Sequence, residues 1–279
     1  MAIVIEFVGL SGSGKSALAR KAVQYLKAHG LNVFCRGRGN TLLYEYFRKR
    51  PPEYGGIKWF VLKRFFQGAP HFLAKYMAYT FYLFSMMNLV CRFETRNPQL
   101  TGVMHGGIES NYHSEQGKQW ALTMVYKIFT EYQIVHELQG WLDANTVIIL
   151  DEGRDRIPRI INALGDVQPV EKTVSYIDQI PLPDLVIHVD TEPSVCSQRV
   201  ATRRILGYSA LRLKQSSLEK QTETLENCRL CTARTCEMLA SNKVPVYKVS
   251  NSADFDSAVK SLQEYLGGFF KLGQSEQTT

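Results

Sequence analysis

Residues 9–16 read Gly9-Leu10-Ser11-Gly12-Ser13-Gly14-Lys15-Ser16, a Gly-x4-Gly-Lys-Ser spacing set between a strand pattern and a helix pattern. Before it, Ile3 to Val8 is a short run rich in β-branched residues and reads as a central parallel strand. After it, Ala17 to His29 brings Leu18, Ala22, Tyr25 and Leu26 to one helical face, and Gly30 ends the helix. Leu31 to Cys35 follows as a second strand, which completes a βαβ unit. The spacing has a chemical logic. Glycines let the backbone curl around a phosphate with its N–H groups inward, and the helix N-terminus adds the positive end of its dipole. Gly9 through Ala17 would form the cradle, Lys15 would neutralise β- and γ-phosphates, and the Ser16 hydroxyl is a hard oxygen ligand for Mg²⁺. From average residue usage the pattern arises by chance roughly 0.01 times in a chain this long.

Three more strands are expected far downstream, at Thr146–Leu150, Leu185–Val189 and Val244–Val249, followed by an amphipathic helix at about 254–268. Each ends in polar residues, as strands do where their C-termini line a ligand crevice. Roughly a hundred residues, 40–145, separate strands two and three. This is too long for a simple connection, so it is expected to be a structured, largely helical insertion. Within it, Gly102–Gly117 is rich in Gly, Ser, Asn and His and reads as a loop. The reading is one domain over 1–270, with a lid at about 194–215 and a polar tail over 271–279.

The net charge of +7 is local. Residues 1–100 carry 15 basic and 4 acidic side chains and residues 201–250 carry 9 and 4, so the rest of the chain is acidic. That distribution points to an anionic ligand. The N-terminus lacks a basic n-region followed by an apolar h-region, and six cysteines lack framework spacing. A cytoplasmic protein with reduced thiols is the expectation. Cys228, Cys231 and Cys236 fall in a helical pattern without a fourth ligand, which argues against zinc. Residues 77–91 are free of charge but number only 15, short of the about 20 a membrane helix needs, so no span is expected.

Asp151 and Glu152 close the third strand beside the phosphate-binding loop. Asp151 would hold the Mg²⁺ shell, and either carboxylate would serve as the base that takes a proton from an attacking hydroxyl. Arg199 and Arg203, four apart on a helix face, would close as a lid over a transferring phosphoryl group, with Arg204 and Arg212 nearby. A solvated basic face is the plainer alternative.

These residues carry a resemblance. Gly9–Ser16 on the first strand, Asp151 ending the third, and Asp190, Pro193, Arg199 and Arg203 within 183–204 resemble the P-loop small-molecule kinases. The thymidylate kinase and deoxynucleoside kinase group is nearest, and the loop sequence GLSGSGKS is similar to that of adenylylsulfate kinases. The resemblance implies an α/β, three-layer P-loop NTPase fold with a five-stranded parallel sheet, ATP and Mg²⁺ as donor, and an acceptor site built by the insertion. Two segments depart from the group. Asp151-Glu152-Gly153-Arg154 stands where Asp-Arg-Tyr or Glu-Arg-Ser occurs, so Arg154 or Arg156 replaces the family arginine. Arg36-Gly37-Arg38 stands where thymidylate kinases have Arg-Glu-Pro-Gly. Arg36, Arg38, Arg92 and Arg154 are the acceptor-side candidates, with Arg96, His105, Glu109 and His113 as weaker ones.

The function expected is transfer of the ATP γ-phosphoryl group to a hydroxyl or phosphate of a small metabolite, nucleotide-like or anionic. Two alternatives remain: a kinase acting on a nucleic acid, favoured by the Arg48-Lys49-Arg50 run, and a nucleotide-binding ATPase without an acceptor. A homodimer is compatible with each.

Overall fold

A computed structural model of the chain describes residues 1–36, 41–49, 86–161, 180–202, 217–252 and 254–272. Five strands, β1 (Ile3–Gly9), β2 (Asn32–Arg36), β3 (Thr146–Leu150), β4 (Leu185–Asp190) and β5 (Val246–Ser250), form one parallel sheet in the order β2-β3-β1-β4-β5. Parallel pairing demands long crossovers, and helices supply them. β1 pairs with β3 from Ile3↔Val147 to Glu6↔Leu150, and with β4 from Ile5↔Leu185 to Gly9↔Val189. At its C-terminal end, therefore, β1 outruns β3 and keeps a strand on one side only.

Both faces of the sheet are covered, which is why the strands read as unbroken apolar runs. On one face, Ile5, Phe7, Val147, Ile149, Leu185 and Ile187 pack on α1 (Lys15–Ala28) and on the C-terminal helix Phe255–Phe269, through Leu18, Leu26, Leu262 and Leu266. The opposite face carries Val4, Ile148 and Leu150, which meet the insertion. Its described helices are α2 (Thr41–Lys49), α3 (86–96), α4 (Pro98–Asn111) and α5 (Glu115–Trp141), with the short α6 (Arg156–Ile161) after β3. Further along that face, α7 (Pro193–Ala201) and α8 (Leu218–Ser241) close the layer, and Leu239 meets Val8 and Val186. Phe255–Phe269 is α9. The result is an α/β, three-layer architecture with a helical insertion between strands 2 and 3. Each fully buried aliphatic or aromatic side chain in these layers contributes about 1.5–3 kcal/mol of transfer free energy.

One expected loop is a pair of helices. Residues 102–117 lie mostly in α4 and in the first turn of α5, not in a connection. Leu100, Met104 and Ile108, each four residues apart, are all buried on α4 and override the poor intrinsic helix propensity of Gly102, Gly106 and Gly107. Pro98 at the first position also favours the helix start. The real break is Tyr112–Ser114, where Ser114 caps α5 by accepting from the Gly117 N–H at 3.1 Å. Ser114→Ala should lower stability by about 1 kcal/mol, read from the midpoint of denaturant unfolding, with the slope unchanged.

Cys228, Cys231 and Cys236 lie buried along α8, and burial pushes the Cys236 thiol up to about 12. Among the described residues no helix is long and apolar enough to cross a membrane. Of the charge-free stretch at 77–91, only 86–91 falls within the described residues. In α2, Arg48 donates to the Glu45 carboxylate three residues earlier at 2.6 Å, so one member of the Arg48–Arg50 run is paired within its own helix; Arg50 lies outside the described residues.

Candidate functional site

The loop leaving β1 is defined by its glycines. Gly9, Gly12 and Gly14 have φ of 141°, 93° and 93°, a region L side chains rarely adopt. Space reinforces conformation: a Cβ on Gly9 would lie 2.5 Å from the Val189 carbonyl oxygen, and one on Gly12 would lie 2.5 Å from that of Cys196. At Gly14 it would run into the Asn251 amide. The loop is thus pressed against the ends of β4, β5 and α7 with no room for side chains.

Three contacts fix its curl. The Ser13 carbonyl accepts from Asn251 Nδ2 at 2.6 Å and from Thr191 Oγ1 at 3.2 Å, so residues after β5 and β4 hold the same oxygen. The Ser13 N–H donates to the Leu10 carbonyl at 3.1 Å. Lys15 Nζ reaches back over the loop and donates to the carbonyls of Gly9 (2.6 Å) and Leu10 (2.7 Å). Lys15 is buried. Ser13 Oγ, enclosed in the curl, has no hydrogen-bond partner among the described residues.

Helix α1 starts directly at Lys15, with Gly14 as N-cap, no side-chain cap and no acidic residue in its first turn. The first N–H groups of a helix have no intrahelical acceptor. Elsewhere Ser114 and Asp254 supply those acceptors for α5 and α9. At α1 no side chain takes that place, Ala17 N–H turns back to the Gly14 carbonyl at 2.9 Å, and the positive end of the dipole favours an anion beside Lys15 and Ser16. Ser16 is exposed on the first turn.

Opposite this loop, the turn after β3 carries the carboxylates. Asp151 and Glu152 are half-buried, and Glu152 lies 3.5 Å from Arg156. Arg156 is held more closely by Glu131 of α5 at 2.6 Å. Burial works against its charge, yet the Glu131 and Glu152 carboxylates outweigh burial and keep the guanidinium firmly protonated. This Glu131–Arg156–Glu152 bridge joins the insertion to the β3 turn.

Arg154 is a correction. Expected on the acceptor side, it is wholly buried and points into the core. Its Nη2 donates to Glu6 Oε1 at 2.9 Å and to the Pro181 carbonyl at 2.8 Å, and its Nε donates to Glu6 Oε2 at 3.2 Å. Burial disfavours the Arg154 charge, but the Glu6 carboxylate restores it. With no exposed surface, Arg154 has nothing to offer an acceptor. Of the other acceptor candidates, Arg92 on α3 donates to Glu137 of α5 at 2.8 Å, where Tyr46 and Gln133 also donate. Arg36 ends β2 in register with Leu150. Arg199 is half-buried in the last turn of α7. Arg38, Arg203, Arg204 and Arg212 lie outside the described residues. Arg96 lies on α3, His105 is 3.6 Å from Glu94, and Glu109 pairs with Lys118 at 2.6 Å, while His113 is exposed.

Sequence reading missed Thr191, Asn251, Glu131 and Asp155. The first two had a signal, since each directly follows a strand end, where a crevice is lined. Glu131 had none, being one of several charges along a long helix.

A phosphate-shaped loop at the C-terminal end of the central strand, in this strand order, is a P-loop NTPase fold. No family model matches the chain, and no curated protein matches it either. Among solved structures, deoxyadenosine kinase from M. mycoides with bound dATP is similar with a TM-score of 0.40 at 15% identity, over 95% of this chain and 100% of that one.

Proposed function

We propose that the chain is an ATP-dependent phosphotransferase that moves the γ-phosphoryl group to a hydroxyl or phosphate of a small metabolite. The observation that carries this reading is the Gly9–Ser16 loop, whose three glycines at positive φ leave no space for side chains and lead into a helix N-terminus without a side-chain cap. Residues 9–17 would form the phosphate cradle, with the donors drawn from backbone N–H groups other than those of Gly9, Ser13 and Ala17, which already have acceptors. Lys15, already above the loop, would neutralise the charge that builds on the bridging and terminal oxygens.

The donor set suits Mg²⁺. Ser16 and Asp151 would be its hard oxygen ligands, and an octahedral ion that keeps several waters needs only one or two protein oxygens. The ion would supply charge neutralisation of the phosphates. Asp151 or Glu152 would orient the acceptor and take its proton. Arg199 and Arg203 would form the cationic lid, and Arg36, Arg38 and Arg92 would line the acceptor side. A small anionic or nucleotide-like acceptor would suit guanidinium groups in those roles.

The test is a transfer screen. γ-Labelled ATP with Mg²⁺ is offered to the protein with nucleosides, nucleotides, sugars or oligonucleotides as acceptors. Label should pass to one class of small molecule. Release of inorganic phosphate unchanged by any acceptor would remove the kinase reading. Label on an oligonucleotide, falling steeply with added salt, would instead assign the acceptor to nucleic acid.

A further inference from the structure

The end of β1 poses a problem that the strands do not solve. Pairing between β1 and β3 stops at Glu6↔Leu150, whereas β1 and β4 remain paired through Gly9↔Val189. Within β1 the backbone groups of Phe7 and Gly9 point to the side that β3 has left. A buried N–H or C=O without a partner is costly. The turn after β3 meets both needs. Gly153 N–H donates to the Phe7 carbonyl at 2.8 Å, and two residues later the Asp155 carboxylate accepts from the Gly9 N–H at 2.9 Å. Asp155 continues the ladder with a side chain where the strand has ended.

Asp155 is completely buried, which a carboxylate tolerates only with hydrogen-bond donors in place. A second donor comes from α8, where Thr232 Oγ1 reaches the same Oδ2 at 3.2 Å. Thr232 is also buried, and its hydroxyl lies 3.0 Å from the Cys228 carbonyl of its own helix. Gly9 is therefore gripped from both ends. An anion holds its N–H and the Lys15 ammonium holds its C=O at 2.6 Å. Charge-assisted hydrogen bonds of this kind are roughly twice as strong as neutral ones, and here both act on the residue where the strand becomes the loop.

We propose that Asp155 is a positioning residue for the phosphate loop: its carboxylate fixes the orientation of the Gly9 peptide, and through Thr232 it ties that peptide to α8. The inference rests on the nucleotide-site reading, since the loop it shapes is the cradle assigned there. It touches neither phosphate nor acceptor. Its effect comes entirely through Gly9, whose φ is 141°.

Two measurements test it, with a fluorescent N-methylanthraniloyl ATP and Mg²⁺ as the probe. Asp155→Asn can still present an oxygen to Gly9, so its Kd for the probe should stay within about threefold of wild type (1.4 kcal/mol being tenfold). Asp155→Ala and Asp155→Ser leave the Gly9 N–H without an acceptor, and their Kd should rise tenfold or more, measured well below the melting temperature on protein with wild-type circular dichroism. Asp155→Ser retains a polar atom at the site and serves if the alanine variant does not fold. In parallel, hydrogen exchange of a peptide spanning 3–16 should be faster in the serine variant and close to wild type in the asparagine variant. Equal Kd in all three variants, or unchanged exchange at Gly9, overturns the proposal. Wild-type protein that does not bind the probe overturns the nucleotide reading instead, and accelerated exchange in the serine variant would still report the clamp.

Discussion

Lys15→Ala is expected to reduce phosphoryl transfer by at least about a thousandfold, the upper end of what loss of one preorganised charge costs. The effect is larger here than for an exposed lysine, because Lys15 is buried above the loop and already aligned by the carbonyls of Gly9 and Leu10. Its ammonium needs little reorganisation to meet phosphate oxygens. The same contacts warn that alanine also removes a donor from two loop carbonyls. Lys15→Met also loses the charge and that donor but keeps the apolar stem, so it separates both from the loss of packing. Both variants should fall alike in the rate of transfer from γ-labelled ATP, while alanine, which also loses the buried stem, should lower the melting temperature further than methionine. Transfer surviving within tenfold in the methionine variant would sink the assignment of this loop.

How far such a site could be read from the sequence depends on how local its causes are. The glycine loop is local: Gly9, Gly12, Gly14, Lys15 and Ser16 are adjacent, and their conformations follow from residue type. The five strands were legible for a related reason, since a parallel sheet covered on both faces writes itself as short apolar runs. Thr146–Leu150 agrees at both ends, and the others shift by one or two residues, as strand ends do when a polar residue still pairs. The helix α4 was not legible by composition, because Gly and Asn signal a turn. Its spacing of Leu100, Met104 and Ile108 was present but outweighed.

The contacts that complete the site are of another kind. Asn251 reaches Ser13 across 238 residues, and Asp155 reaches Gly9 across 146. Nothing in the local pattern distinguishes Asp155 from Asp151, since both are acids in one short turn. What separates them is which has lost its strand neighbour, and that is a property of sheet register. Arg154 was misassigned for the same reason. A basic residue beside a phosphate loop reads as a ligand contact until an acidic partner on the central strand is known.

That partner could have been suspected. Glu6 is the one charge within Ile3–Gly9, and a charge inside a central strand must be matched. Glu6→Gln leaves the Arg154 guanidinium buried without a counter-charge and should destabilise the protein by about 3–5 kcal/mol, read from denaturant unfolding. The turn above should loosen too. Glu6 Oε2 accepts the Arg154 N–H at 3.1 Å and lies 2.9 Å from where a Gly153 Cβ would stand, so it shapes the turn bearing Asp151 and Glu152. The double variant Glu6→Leu/Arg154→Met tests what the pair is for. Replacing a whole buried ion pair with apolar groups is often neutral or stabilising, so most of the lost stability should return. Transfer activity should not return with it, because leucine cannot accept from the backbone N–H of residue 154. Recovery of both would make the pair a matter of stability alone. Recovery of stability without activity would mean that Glu6 holds the β3 turn in the register the carboxylates need.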